Sequence, residues 1–158
     1  MISTINDYQG RTVDLLAFKG GTDPGDTLTT QALVLQGGSG EIIAGPAKLA
    51  QRWLLEFLTE EGSLAYLPLR GTIFMTEARL GRFRTTVDAE QVFYFAADQA
   101  KLNLLAEEDA NTPDDEAYAD VELNNLVITG DLLIMNVTLI SRAGSSRKVL
   151  FPLTIRTG

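Results

Sequence analysis

Neither cysteine nor histidine occurs in the 158 residues. Without cysteine there are no disulfides and no thiol chemistry. Without histidine the commonest general base near neutral pH is missing. Together the two absences remove the usual zinc ligand sets. Positive charge is scarce too: 13 Lys and Arg stand against 21 Asp and Glu, a formal net charge of -8. Such a chain repels phosphate backbones and anionic bilayers, which argues against nucleic-acid and membrane partners. No apolar run approaches the roughly 20 residues that span a bilayer. The opening MISTINDYQG lacks the basic-then-apolar order of a secretory signal. The sequence therefore reads as a soluble protein made in the cytoplasm, with no cofactor implied.

What is present suffices for one domain with its own core, since 45% of the residues are hydrophobic. Much of the negative charge falls in AEEDANTPDDEAYAD, residues 106–120, which reads as a solvated loop. DPGD, Asp23 to Asp26, is turn chemistry and lacks the spacing of a calcium loop.

The chain divides into an extension, 1–40, and a single α+β domain, 41–158. In the extension, TVDLLAF (12–18) and QALVLQ (31–36) have strand length and are expected to pair as a hairpin. The Gly-, Asp- and Thr-rich stretch Gly20 to Thr30 between them is expected to be a mobile loop, and GGSG (37–40) a flexible joint. In the domain, Pro46 suits the first turn of a helix. Leu49, Trp53, Leu54, Phe57 and Leu58 recur at helical spacing, and Gly62 is placed to end that helix. SLAYLPLRG then reads as extended. A second helix is expected from Thr86 or Asp88, with Thr85 and Asp88 forming a capping box. Its apolar stripe runs through Val92, Phe95, Ala96, Gln99, Leu102, Leu105 and Ala106. The consecutive aromatics Phe93, Tyr94 and Phe95 imply burial against several elements or another chain.

Three strands close the sequence: 121–128, 132–141 and 149–155. Gly130-Asp131 suits a tight hairpin turn, and Ala143 to Ser146 a longer one. Pro152 places the last strand at an edge or a bulge. The expected fold is thus α+β, with two or three helices packed on a small antiparallel C-terminal meander and a hairpin-like N-terminal extension.

This order of elements resembles the contractile-tail baseplate wedge family, also called sheath initiators, which includes the small wedge protein of phage tails and type VI secretion relatives. KLAQRWLLEFLTEEGSLAYLPLRGT is similar to the family's helix-plus-loop signature, with Gly62 and Gly71 at its glycine positions. VELNNLVITGDLLIMNVTLISRAGSSRKVLFPLTI is similar to its closing strands. Where the family carries a Glu-Pro-Arg triplet this chain has Glu116-Ala117-Tyr118, so neither the kink nor the arginine contact is carried over.

The resemblance implies a structural protein of the virion, in the tail baseplate, present in several copies in a ring. It implies a sheet that nucleates the sheath by accepting strands from sheath subunits, which is β-augmentation. The strand-addition interface is then expected at Val127, Leu133, Met135, Val137, Leu139, Val149 and Phe151. A second interface, with neighbouring wedge subunits or the tail tube, is expected at Trp53, Phe57, Arg79, Arg82 and Arg84. Leu49, Trp53 and Phe57 are expected to bury the first helix in that assembly. A head-completion or tail-terminator adaptor shares the acidic, strand-rich character and is the alternative. A cell-wall hydrolase requires two suitably separated carboxylates. Glu56, Glu60, Glu61 and Glu77 are available, but Glu56 and Glu60 are expected exposed on the polar side of one helix, with nothing facing them. The expectation is therefore no catalysis.

Overall fold

The computed structural model describes residues 14–15, 18–23, 27–35 and 42–155. Four short strands come first: β1 (Asp14–Leu15), β2 (Phe18–Asp23), β3 (Thr27–Leu35) and β4 (Ile42–Ile43). Three helices follow, α1 (Pro46–Leu58), α2 (Phe74–Arg79) and α3 (Thr86–Glu107). The chain closes with β5 (Tyr118–Thr129), β6 (Leu132–Ser141) and β7 (Ser146–Thr154). The fold is α+β, with the three helices beside an antiparallel C-terminal meander.

Pro46 occupies the first turn of α1, as its lack of an N–H predisposes it to do. Leu49, Ala50, Trp53, Leu54 and Phe57 form the buried stripe. The helix stops earlier than its composition suggests. Thr59 turns extended, and its carbonyl accepts the Thr72 N–H at 2.8 Å. Gly62 has a left-handed φ of 78° but serves the turn after the helix rather than ending it. SLAYLPLRG is a succession of turns, not an extended link: Leu67 N–H donates to the Leu64 carbonyl and Arg70 N–H to that of Leu67, both at 3.0 Å.

α2 was not expected as a helix of its own. Phe74 and Ala78 anchor it in the core. α3 begins as its sequence dictates, with Thr85 and Asp88 exchanging side-chain to backbone bonds of 3.2 and 2.9 Å. Its buried stripe is Ala89, Phe93, Ala96, Ala97, Ala100 and Leu104. That is rotated from the expected stripe, so Phe95, Leu102 and Leu105 are exposed. Its four buried alanines let the helix approach its neighbours around Phe93 and Leu104, while Phe95, Leu102 and Leu105 point away.

β5, β6 and β7 pair antiparallel in sequence order, with Gly130 (φ 59°) in the first turn and Gly144 (φ 80°) in the second. The sheet has five strands in the order β2-β3-β7-β6-β5. The extension therefore joins the domain's sheet. Phe18 pairs with Leu35, and Gly20 to Asp23 pair with Thr30 to Thr27. Most of the stretch expected to be a mobile loop is thus strand. GGSG and residues 24–26 of DPGD lie outside the described residues.

Helices cover one face of the meander. Leu133, Met135, Val137 and Leu139 of β6 and Val149, Phe151 and Leu153 of β7 pack with the buried stripes of α1 and α3 in one core. At its centre Trp53 stacks on Phe57 with ring centroids 4.6 Å apart, and Phe57 meets Phe74 at 4.7 Å and Phe93 at 5.4 Å.

Candidate functional site

The strand-addition residues separate into two groups. Leu133, Met135, Val137, Leu139, Val149 and Phe151 are all buried on the helix-facing side. Their side chains are committed to the chain's own core, and an incoming strand cannot meet them without displacing helices. This corrects the expectation that they form an interface. Alternation explains it: one face of each strand had to bury, and these positions are that face. Val127 alone is exposed, at 41%. Its register partner is Ile134, which places both on the opposite face with Leu132, Asn136 and Thr138. There Asn124 Nδ2 donates to Asn136 Oδ1 at 3.2 Å and to Thr138 Oγ1 at 2.7 Å.

The two edges of the meander differ. At the β7 side, β3 is already in place, parallel, pairing Thr27, Leu28 and Thr29 with Lys148, Val149 and Leu150. That ladder ends two residues short of Pro152, which has no N–H to offer. β5 is the terminal strand on the other side. Its first half carries edge protection: register irregularities at Tyr118/Asp120 and Leu123/Asn125, and the exposed carboxylates Asp120 and Glu122. Its second half, Leu126 to Thr129, pairs with β6 without interruption and has no charge.

The residues expected to meet wedge or tube also separate. Trp53 and Phe57 are fully buried in the chain's own core, as is Leu49, so they hold the fold rather than an assembly. Arg79, Arg82 and Arg84 are exposed. Arg79 pairs with Glu60 at 3.1 Å and Arg82 with Glu77 at 3.1 Å. A groove of about 590 Å³ opens beside the first pair, between α2 and the end of β7.

An exposed apolar surface escaped the sequence reading. Tyr66 (97% exposed), Leu67 and Leu69 (78%) stand out from the turns after α1. Those turns lie along α3: Asn103 Nδ2 donates to the Leu69 carbonyl at 3.2 Å, and Ile73 N–H donates to Gln99 Oε1 at 3.0 Å. The exposed Phe95 and Leu102 flank Gln99 on the helix. The available signal was the three aromatics in a row at 93–95, only one of which a single helix face can bury.

Glu56 is not on an exposed face; it is 4% exposed. Its oxygens accept from Arg70 Nε at 2.8 Å and again from Arg70 Nη2, from Gly71 N–H at 2.7 Å and from Asn103 Nδ2 at 2.6 Å. Burial pushes this carboxyl upward, but the bonds from Arg70, Gly71 and Asn103 outweigh burial and hold it below the ordinary value. Arg70 is held more firmly protonated than usual, chiefly by its bond to Glu56, and also bonds Glu107. Glu107 reaches Arg52 as well, at 3.4 Å. Glu56 is thus a clamp between α1, the turns and α3 whose charged form is favoured by its bonds. Glu116, at the place of the family's triplet, is buried. It accepts from Gly45 N–H at 3.0 Å and Lys48 Nζ at 3.2 Å, fixing the start of α1. Among the described residues no group of three or more acidic side chains could hold a metal, and no helix is long and apolar enough to cross a membrane.

Compared with known protein families, curated proteins and solved structures, the chain matches none.

Proposed function

We propose that this chain is a structural, non-catalytic component of a contractile-tail baseplate that nucleates sheath assembly by accepting a strand. The sequence resemblance supplies the biological setting. The observation that carries the reading is the outer edge of β5, a twelve-residue strand that ends its sheet. Addition is favoured at Leu126 to Thr129, where the ladder is regular and uncharged, and opposed at Tyr118 to Asn125, where bulges and carboxylates guard the edge. The partner strand is the sheath protein's. Neighbouring wedge subunits or the tail tube are the partners for the exposed apolar surface of α3 and Tyr66 to Leu69. The assembled protein sits in the virion tail as a ring of copies.

The test is amide hydrogen exchange on the full chain, alone and mixed with the candidate sheath protein. New protection confined to β5, strongest at Leu126 to Thr129, is expected. Unchanged exchange throughout β5, with sheath present in excess, overturns the reading.

A further inference from the structure

The meander has two faces, and the helices cover one of them. On the other lie the residues that alternate with the buried side chains of β6, and the register sorts them into rows. Val127, Ile134 and Pro152 make one row across β5, β6 and β7. Glu122, Thr138 and Lys148 make another, two levels nearer the start of β5. Val127 is 41% exposed, and Leu132, beside the first row, 38%. No charged residue occurs at 123–130, 132–141 or 149–155, so the Val127 half of this face is neutral. Glu122 and Lys148 are exposed, and neither forms an ion pair among the described residues. Their backbones stand on either side of β6, two strand spacings or roughly 10 Å apart, and the two charges do not meet within one chain.

We propose that this face docks on the same face of a second copy of the chain, about a two-fold axis that runs along β6. The pattern is self-complementary, as a two-fold contact requires. Such an axis lays β6 on β6 and sets β5 of each copy over β7 of the other, with every row at its own level. Glu122 of each copy then meets Lys148 of the other, and the pair forms twice. Ile134 meets Ile134, and Val127 meets Pro152. The neutral half is buried against its equal, so no charge is stripped of water without a partner. A two-fold axis across the strands instead lays β5 on β5, where Glu122 finds no Lys148. Charge complementarity therefore selects both the occupant and the axis. Stacked sheets keep their strand directions within about 30° of each other, which this axis also satisfies. The contact uses a face of the meander and leaves the outer edge of β5 free. It needs no sheath protein and holds whether or not β5 accepts a strand.

The test is a charge exchange read by sedimentation equilibrium of the full chain without other proteins. The natural chain is expected to dimerise as its concentration rises. Glu122→Lys sets lysine against lysine at both pairs, and Lys148→Glu sets carboxylate against carboxylate. Each alone is expected to weaken dimerisation by at least about tenfold. Both residues are exposed, so each variant is expected to melt as the natural chain does. Mixing the two variants restores an opposite pair at both places, and a one-to-one dimer of the two is expected to return. The chain carrying both changes is expected to dimerise with itself again. An association through the edge of β5 would bring no Lys148 to Glu122, so neither the mixture nor the double variant would recover it. A natural chain that stays monomeric at every concentration overturns the proposal. So does a dimer that the single changes leave intact, and so does a dimer that they break and that neither the mixture nor the double variant restores.

Discussion

Gly71 sits where no side chain fits. Its φ is 90°, and a Cβ there would lie 2.4 Å from the Thr59 carbonyl oxygen. Its N–H also binds Glu56. Gly71→Ala is therefore expected to lose at least about 1–3 kcal/mol, the usual cost of a non-glycine residue in such a conformation. Urea titration measures it, and an unchanged midpoint would mean the turn is misplaced. Glu56 yields a second expectation at this scale. Glu56→Gln removes the buried one of Arg70's two charge partners and leaves the more exposed Glu107; the loss should be about 3 kcal/mol, the low end for breaking a buried pair, because Arg70 keeps some exposure and a second carboxylate. The pH dependence follows from the direction of the shift. A carboxyl held below its ordinary value in the folded chain contributes stability that is complete above that value and is lost as pH falls through the folded one. As pH falls below the ordinary carboxyl value the natural chain should thus lose more stability than Glu56→Gln does. Parallel acid titrations of the two decide it.

At the scale of elements, Trp53 shows how an assembly residue and a core residue look alike in sequence. Both are large, apolar and periodic. Here Trp53 lies between α1 and the sheet, stacked on Phe57 and 6.4 Å from the Phe151 ring. Trp53→Ala is expected to lower the stability of the isolated monomer by about 3–5 kcal/mol. A variant that melts normally and fails only in assembly would return Trp53 to an interface. Features encoded by neighbours in sequence were legible: Pro46, the Thr85–Asp88 box, the Gly130-Asp131 turn and the three closing strands. Features set by distant partners were not. Thr59 leaves the helix because of Thr72, and Glu56 is buried because Arg70, Gly71 and Asn103 surround it. The apolar stripe of α3 was misjudged because both of its faces are apolar, so periodicity could not say which one the alanines would bury. β3 on β7 is a parallel, non-local pairing, and no local pattern announces it.

At the scale of the whole molecule, the meander has one edge, at β7, that β3 covers, and an open one, at β5, that no other described strand pairs. The open edge is divided: the half up to Asn125 is bulged and charged, and the half from Leu126 is regular and uncharged. If that division is what directs strand addition, moving the charge should move the behaviour. Val127 is exposed on the sheet face away from the helices, so Val127→Lys should change monomer stability by less than about 0.5 kcal/mol. If β5 captures a sheath strand as proposed, Val127→Lys should nonetheless abolish that capture, since a charge on a free edge opposes pairing. Glu122→Val is the converse. It removes an exposed carboxylate from the guarded half and should leave the fold intact while promoting edge-to-edge association of copies. Melting curves together with light scattering, with and without sheath protein, separate the outcomes. A Val127→Lys chain that melts normally and still recruits sheath would show that β5 is an ordinary solvated edge. A Glu122→Val chain that forms nothing larger than the natural chain does at high concentration would show that the bulges alone protect the first half, and that charge is not what divides the strand.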